Sequence, residues 1–292
     1  MIMNYCICVS GSLGLIVLNT LIDKKISIVS VFTDSNSRSI IEICNQQRIS
    51  CFIGNPRNGM ALKWLQTHYI TIDNLISVNY LFLLDRDCLD YVKNIAVNFH
   101  GSLLPKYRGR TPHVWAIING EKETGISAHL MNDECDDGAL IKQIKVTIDD
   151  DDTGAFILQK YNRIYPKLVC DVIREIEADE LIVTPQDSTK ATYFSKRTPE
   201  DGHVNWDWQK ERIRNWVRAL AMPYPGSFAF LHEKKIIINK VEYSDIGFKD
   251  NVPNGSVIDV INGCPIVKVS NGALKLVDVI SEVCIQKNDI LQ

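Results

Sequence analysis

No two cysteines in this sequence stand at C-x-x-C spacing, although nine are scattered through its 292 residues. The odd count and the dispersal argue against a disulfide framework and against a zinc ribbon. They leave reduced thiols in a core, the usage expected of a cytoplasmic protein. No apolar run approaches the roughly 18 residues a membrane-spanning helix requires, so no membrane partner is expected. The apolar N-terminus has no basic segment before it and is interrupted by Gly11 and Gly14, which does not suit a signal peptide. Internal repeats and low-complexity tracts are absent. Positive charge is not in excess: 32 Lys and Arg against 35 Asp and Glu give a net charge of −3. A broad nucleic-acid surface needs a basic face, so no nucleic-acid partner is expected. No G-x-S-x-G is present to supply a hydrolase nucleophile. The glycine-rich SGSLG at 10–14 is not a G-x-G-x-x-G and reads as a tight turn. His68, His113, His129, His203 and His232 are dispersed, read as core or surface positions, and give no metal site.

What is present is an ordinary globular composition, 46% hydrophobic and 23% charged, long enough for two domains. Apolar strand-like runs at 4–9, 27–33, 50–53, 70–78 and 95–99 alternate with helical patterns at 15–23, 38–48 and 58–68, which predicts a parallel, doubly wound α/β sheet. A helical pattern at 111–119 is followed by a strand pair, 124–131 and 139–148. A long helix is expected from Thr153 to Glu177. A change of composition near 184–192 marks a linker. Beyond an amphipathic helix at 206–221, five short strands separated by Gly and Asn turns suggest a small open β-barrel.

The stretch NFHGSLLPKYRGRTP, 98–112, is the most informative. Residues i and i+2 of a strand project to one side, so Asn98 and His100 should point together from the tip of IAVNF into the following loop. Strand ends of open α/β sheets are where such folds do chemistry. An amide donor beside an imidazole suits activation of a carbonyl group. CDDG, 135–138, reads alone as a hairpin turn. Beside Asn98 and His100 it offers a carboxylate, and only one of Asp136 and Asp137 can face the imidazole. Asn, His and Asp together suit acyl transfer to an amine without a covalent intermediate.

These residues carry a resemblance. Asn98-x-His100, SLLP at 102–105, Arg108–Gly109 and Asp136-x-Gly138 form an ordered set that resembles the formyltransferases that use 10-formyltetrahydrofolate. The likeness continues in YFSKRTPEDGHVNW (193–206), VRA (217–219) and PYPGSF (223–228), nearly end to end. It implies a Rossmann-like, mostly parallel sheet domain over 1–185, a linker over 186–200, and a β-rich, OB-like C-terminal domain over 201–292. It also implies catalytic roles for Asn98, His100 and Asp136, and a folate formyl donor held near Tyr80, Phe82, Leu83 and Asp136, with no metal. KYRGRTP is similar to the branch that formylates nucleotide-linked amino sugars, including the formyltransferase domain of the bifunctional lipid A aminoarabinose enzyme. That likeness implies sugar-nucleotide contacts from Ser102, Leu103, Arg110 and Lys196. The expected acceptor is a dTDP- or UDP-linked amino sugar, foremost dTDP-4-amino-4,6-dideoxyglucose for O-antigen or lipopolysaccharide synthesis, with a 3-amino sugar still open. The chain has no room for the arabinose enzyme's decarboxylase domain, so a stand-alone enzyme is expected. Methionyl-tRNA formylation and formyltetrahydrofolate hydrolysis are the alternatives, and a homodimer is left open.

Overall fold

The computed structural model describes residues 2–249 and 251–292. Its elements in chain order are β1 (Tyr5–Val9), α1 (Gly11–Asp23), β2 (Ile28–Thr33), α2 (Arg38–Gln47), β3 (Ser50–Ile53), α3 (Met60–Thr67), β4 (Asn74–Val78), α4 (Arg86–Asp90), β5 (Ile95–His100), β6 (Arg108–Gly109), α5 (Pro112–Ile118), β7 (Glu123–Leu130), β8 (Leu140–Thr147) and α6 (Gly154–Glu177). They are followed by β9 (Tyr193–Phe194), α7 (Lys210–Leu220), β10 (Ser227–Leu231), β11 (Lys234–Ser244), β12 (Val257–Ile261), β13 (Cys264–Val269) and β14 (Gly272–Ile280). The chain divides into two compact units. The first holds Met1–Gly109, Gly125–Val146 and Lys160–Tyr193; the second holds Arg110–Thr124, Thr147–Gln159 and Phe194–Gln292.

The first unit is built on a seven-stranded sheet in the order β3-β2-β1-β4-β5-β7-β8. The pairs β1–β2, β1–β4, β2–β3 and β4–β5 are parallel, whereas β7 runs antiparallel to β5. β1 and β4 are buried along their whole length, the continuous apolar reading of strands covered on both faces. Cys6 and Cys8 share one of those faces with Phe32, Phe52, Leu65 and Leu75. All nine cysteines are free thiols. α1 buries Leu13, Val17, Leu18 and Leu21 at helical spacing.

The structure differs from the sequence reading in several local places, among them the unexpected short helix α4. The helix expected at 15–23 already begins at Gly11. Gly14 makes this close docking feasible, because a Cβ there would stand 2.9 Å from the Cβ of Val9. The strand expected at 70–78 begins only at Asn74. Tyr69, at φ 55, closes α3 in the left-handed region, and the Ile70 N–H returns to the carbonyl of Leu65 at 3.0 Å, so these residues serve as a helix C-cap. The helix expected at 206–221 begins at Lys210 because Asn205 holds a turn, accepting from the Asp207 N–H at 2.9 Å.

In the second unit β10 to β14 form an antiparallel sheet in the order β10-β11-β14-β13-β12. Thr153 caps α6 by accepting from the Phe156 N–H at 3.2 Å. On α5, His113 lies 2.8 Å from the hydroxyl of Tyr224. Burial pushes His113 down to about 4 from its ordinary 6.5. The unfolded chain takes a proton near 6.5 that the folded chain resists until about pH 4. The unfolded state therefore binds more protons across that interval, and stability falls as pH drops through it. Urea midpoints at neutral pH and near pH 4 are expected to differ less in His113→Gln than in the parent; equal differences would remove His113 from the acid response.

Among the described residues no helix is long and apolar enough to cross a membrane.

Candidate active site

Asn98 and His100 project from the carboxyl end of β5, two residues apart, as strand periodicity requires. The third partner, a carboxylate, comes from the turn between β7 and β8. Asp136 occupies the left-handed region at φ 56. Gly138 allows the turn to close, because a Cβ there would stand 1.8 Å from the Leu130 carbonyl oxygen. The two neighbouring aspartates are separated by their partners: Asp136 faces His100, whereas Asp137 pairs with Arg108.

Asp136 Oδ2 accepts the Gly109 N–H at 2.9 Å and lies 3.5 Å from His100 Nδ1. Asp136 Oδ1 accepts from Asn98 Nδ2 at 3.3 Å and lies 3.5 Å from His129 Nε2. A carboxylate can only accept, so it fixes the Asn98 amide with its nitrogen inward. Burial is the largest influence on Asp136 and would raise its pKa. The His100 charge, the His129 ring and the Gly109 N–H outweigh it and hold the carboxyl well below the ordinary range. His100 is 7% exposed, and burial pushes it below its ordinary value against the opposing pull of Asp136 and the Tyr107 carbonyl. At neutral pH the site therefore holds an ionised Asp136 beside a neutral His100.

The tautomer follows from the partners. His100 Nε2 lies 2.8 Å from the carbonyl oxygen of Tyr107, which can only accept, so Nε2 carries the proton. Nδ1 then presents a lone pair toward Asp136. A proton arriving at Nδ1 would turn that contact into a charge-assisted hydrogen bond. The arrangement can thus take up a proton beside a fixed negative charge.

His129 completes the group and was read from the sequence as a core or surface residue. It is 3% exposed, directly across the β5–β7 ladder from Asn98. Its Nδ1 donates to the Leu130 carbonyl at 2.8 Å, leaving Nε2 to accept from Asn98 Nδ2 at 3.1 Å. The signal that could have found it is its place in the strand leading into CDDG, but the decisive fact is the register.

The loop after β5 is held by buried Ser127. Its hydroxyl donates to the Ser102 carbonyl at 2.6 Å and accepts from the Leu104 N–H at 3.0 Å. Ser102 itself is buried and donates to the Lys106 carbonyl at 2.7 Å, closing the SLLP turn. Leu103 packs where a Cβ on Gly125 would come within 2.5 Å of its Cδ2. Tyr80, Phe82 and Leu83 leave the end of β4, the strand beside β5. Tyr80 packs edge-on to Phe82 at 5.5 Å, and its buried hydroxyl has no hydrogen-bond partner among the described residues. Leu83 is 55% exposed. Arg110 and Lys196 are exposed and belong to the second compact unit, where the Arg110 N–H donates to the Phe194 carbonyl at 3.0 Å. Among the described residues no three His, Cys, Asp or Glu side chains are placed to hold a metal ion.

Two family descriptions match the chain: Formyl transferase over residues 17–173 and Formyl transferase, C-terminal domain over residues 196–285. The Bifunctional polymyxin resistance protein ArnA of Wigglesworthia glossinidia brevipalpis is 33% identical over 263 residues, covering 85% of this chain. The chain spans only 38% of that relative's length. Among solved structures, the N-formyltransferase from Helicobacter canadensis in complex with folinic acid and dTDP-3-aminofucose shares the fold. Its TM-score is 0.72 and its identity 18%, over 96% of this chain and 99% of that one. A 4-N formyltransferase from Francisella tularensis matches with a TM-score of 0.66 and 20% identity, over 84% of this chain and 99% of the other.

Proposed function

The chain belongs to the formyl transferase family, and from that premise we propose that it moves a formyl group from N10-formyltetrahydrofolate to the amino group of a nucleotide-linked amino sugar. The observation that carries this reading is the convergence of Asn98, His100 and Asp136 at the carboxyl end of β5. The Tyr80 segment suits the donor: an apolar and aromatic wall ends in a buried hydroxyl still owed a hydrogen bond, and a flat heterocycle rich in N–H and C=O groups can supply one. Tyr80, Phe82 and Leu83 would hold it, and the donor when bound supplies an electrophilic one-carbon group.

The chain's own residues then have separable tasks. The Asn98 N–H aimed at Asp136 is the longer of its two contacts, at 3.3 Å, and can turn to a carbonyl oxygen that gains negative charge. His100 Nδ1 can collect the proton an attacking amine sheds, with Asp136 balancing the imidazolium, and can return it to the nitrogen from which the formyl group departs.

The sugar branch rests on the relative named above and on the second cation of KYRGRTP. Arg110 is assigned to the diphosphate, where a planar guanidinium forms paired hydrogen bonds. Lys196 is assigned to the same ligand. Arg110→Ala is expected to raise the KM for the sugar nucleotide about tenfold or more, the scale of one charge-assisted bond, with little change in kcat. An unchanged KM would remove Arg110 from that role. The leading acceptor is dTDP-4-amino-4,6-dideoxyglucose, as a precursor of O-antigen, in a cytoplasmic enzyme that needs no metal.

Product mass spectrometry over dTDP- and UDP-linked 3- and 4-amino sugars tests the assignment. One panel member should gain a single formyl group. No gain on any sugar, with formylation of initiator methionyl-tRNA instead, would move the enzyme to the other branch.

A further inference from the structure

Asp136 sits in a turn whose backbone is held from behind. Gln186 Nε2 donates to the carbonyl oxygens of Asp136 at 2.8 Å and of Gly138 at 2.7 Å, bracketing the Asp136–Gly138 turn with one amide group. Gln186 Oε1 accepts from Arg108 Nη2 at 2.8 Å. Arg108 is 1% exposed, pairs its Nη2 with Asp137, and donates from Nη1 to the Tyr193 hydroxyl at 2.6 Å. Its backbone N–H is tied to the Thr192 carbonyl at 2.8 Å. The next residue, Gly109, is the one whose N–H holds the Asp136 carboxylate. Gln186 lies in the irregular segment between α6 and β9, within the stretch read from sequence as a linker.

We propose that Gln186, braced by Arg108, is a positioning residue that holds the Asp136 turn against His100, so that this segment is a working part of the site. The physical need is evident in the backbone. A non-glycine residue at φ 56 is a strained choice that surrounding contacts must over-determine. Of the two carbonyls that Gln186 ties, one is that residue's own and the other is Gly138's, two residues on, and the buried guanidinium both orients Gln186 and draws Asp137 away from the imidazole. Gln186 touches no reacting atom; it acts through Asp136. The inference rests on the formyl-transfer reading for its kinetic arm only.

Gln186→Ala is the cleaner variant, since Gln186 is half-buried on a surface segment, whereas Arg108→Ala would also strand Asp137. In folded Gln186→Ala, kcat is expected to fall about 10- to 100-fold, the scale of a misplacement near 1 Å, with KM for both substrates little changed. The same substitution made in Asp136→Ala should cost nothing further, because its effect passes through Asp136. An NMR titration of the His100 ring gives a readout independent of turnover. Asp136 and His129 are the titratable groups facing that ring, and Asp136 raises its pKa, so the His100 midpoint should move down in Gln186→Ala. Unchanged kcat and an unchanged midpoint in the folded variant would overturn the proposal. An equal loss of kcat in the Asp136→Ala background would overturn it too, by placing the effect elsewhere. If the parent enzyme forms no formylated product at all, the functional reading fails, and the His100 midpoint alone decides the positioning role.

Discussion

Asp136→Ala is expected to lower kcat/KM for formyl transfer by roughly three to four orders of magnitude while the protein stays folded. The scale is that of neutralising the carboxylate that orients a catalytic imidazole in the serine proteases, about 10⁴ in kcat. Asp136 has three tasks here. It faces His100 Nδ1 at 3.5 Å, it accepts from Asn98 at 3.3 Å, and it ties the Gly109 N–H at 2.9 Å. Removing it strands two donors and leaves a buried imidazole with no charge to favour its protonation. Because the Asp136 pKa is depressed on folding, its contribution to stability is present above its ordinary carboxylate range and is lost as pH falls through the lower folded value. Near neutral pH the variant should therefore lose some stability along with its activity. Steady-state kinetics with thermal melts of the same samples check this. Near-parental turnover from a folded Asp136→Ala would remove the carboxylate from the mechanism.

Asn98→Ala is expected to reduce kcat about 10²- to 10³-fold, the usual cost of losing one donor to a developing negative charge, and His100→Ala by a similar factor through the loss of proton transfer. The two losses should not multiply, because both side chains serve one carboxylate-centred group. Pre-steady-state mixing separates the roles. In Asn98→Ala the chemical step should slow with donor binding retained. In His100→Ala the pH-rate profile should also lose the limb that reports the imidazole. A His100→Ala profile identical in shape to the parent's would assign the proton to another group.

Much of this was legible in the sequence, for physical reasons that can be named. IAVNF is apolar on both faces, so β5 had to be an interior strand, and period two then placed Asn98 and His100 together. CDDG announced a turn with carboxylates, though its choice between Asp136 and Asp137 is made by Arg108, a residue whose burial no local pattern signals. The role of His129 is not legible locally, because its meeting with Asn98 depends on β7 pairing antiparallel to β5 in one register, a non-local fact. Gln186 was hidden for the related reason that its value lies in two backbone carbonyls nearly fifty residues back along the chain. Ile70 shows the opposite limit: local apolar spacing favours a longer strand, and the closing turn of α3 takes this residue instead.

The most direct measurement follows a carbon-13 label placed in the formyl group of N10-formyltetrahydrofolate, with an amino-sugar nucleotide as acceptor. The expected result is label on the sugar nitrogen with the parent protein and its near-complete loss with His100→Ala. Label recovered as free formate at an equal rate without acceptor, or on methionyl-tRNA in place of sugar, would contradict the reading of this site as a sugar N-formyltransferase.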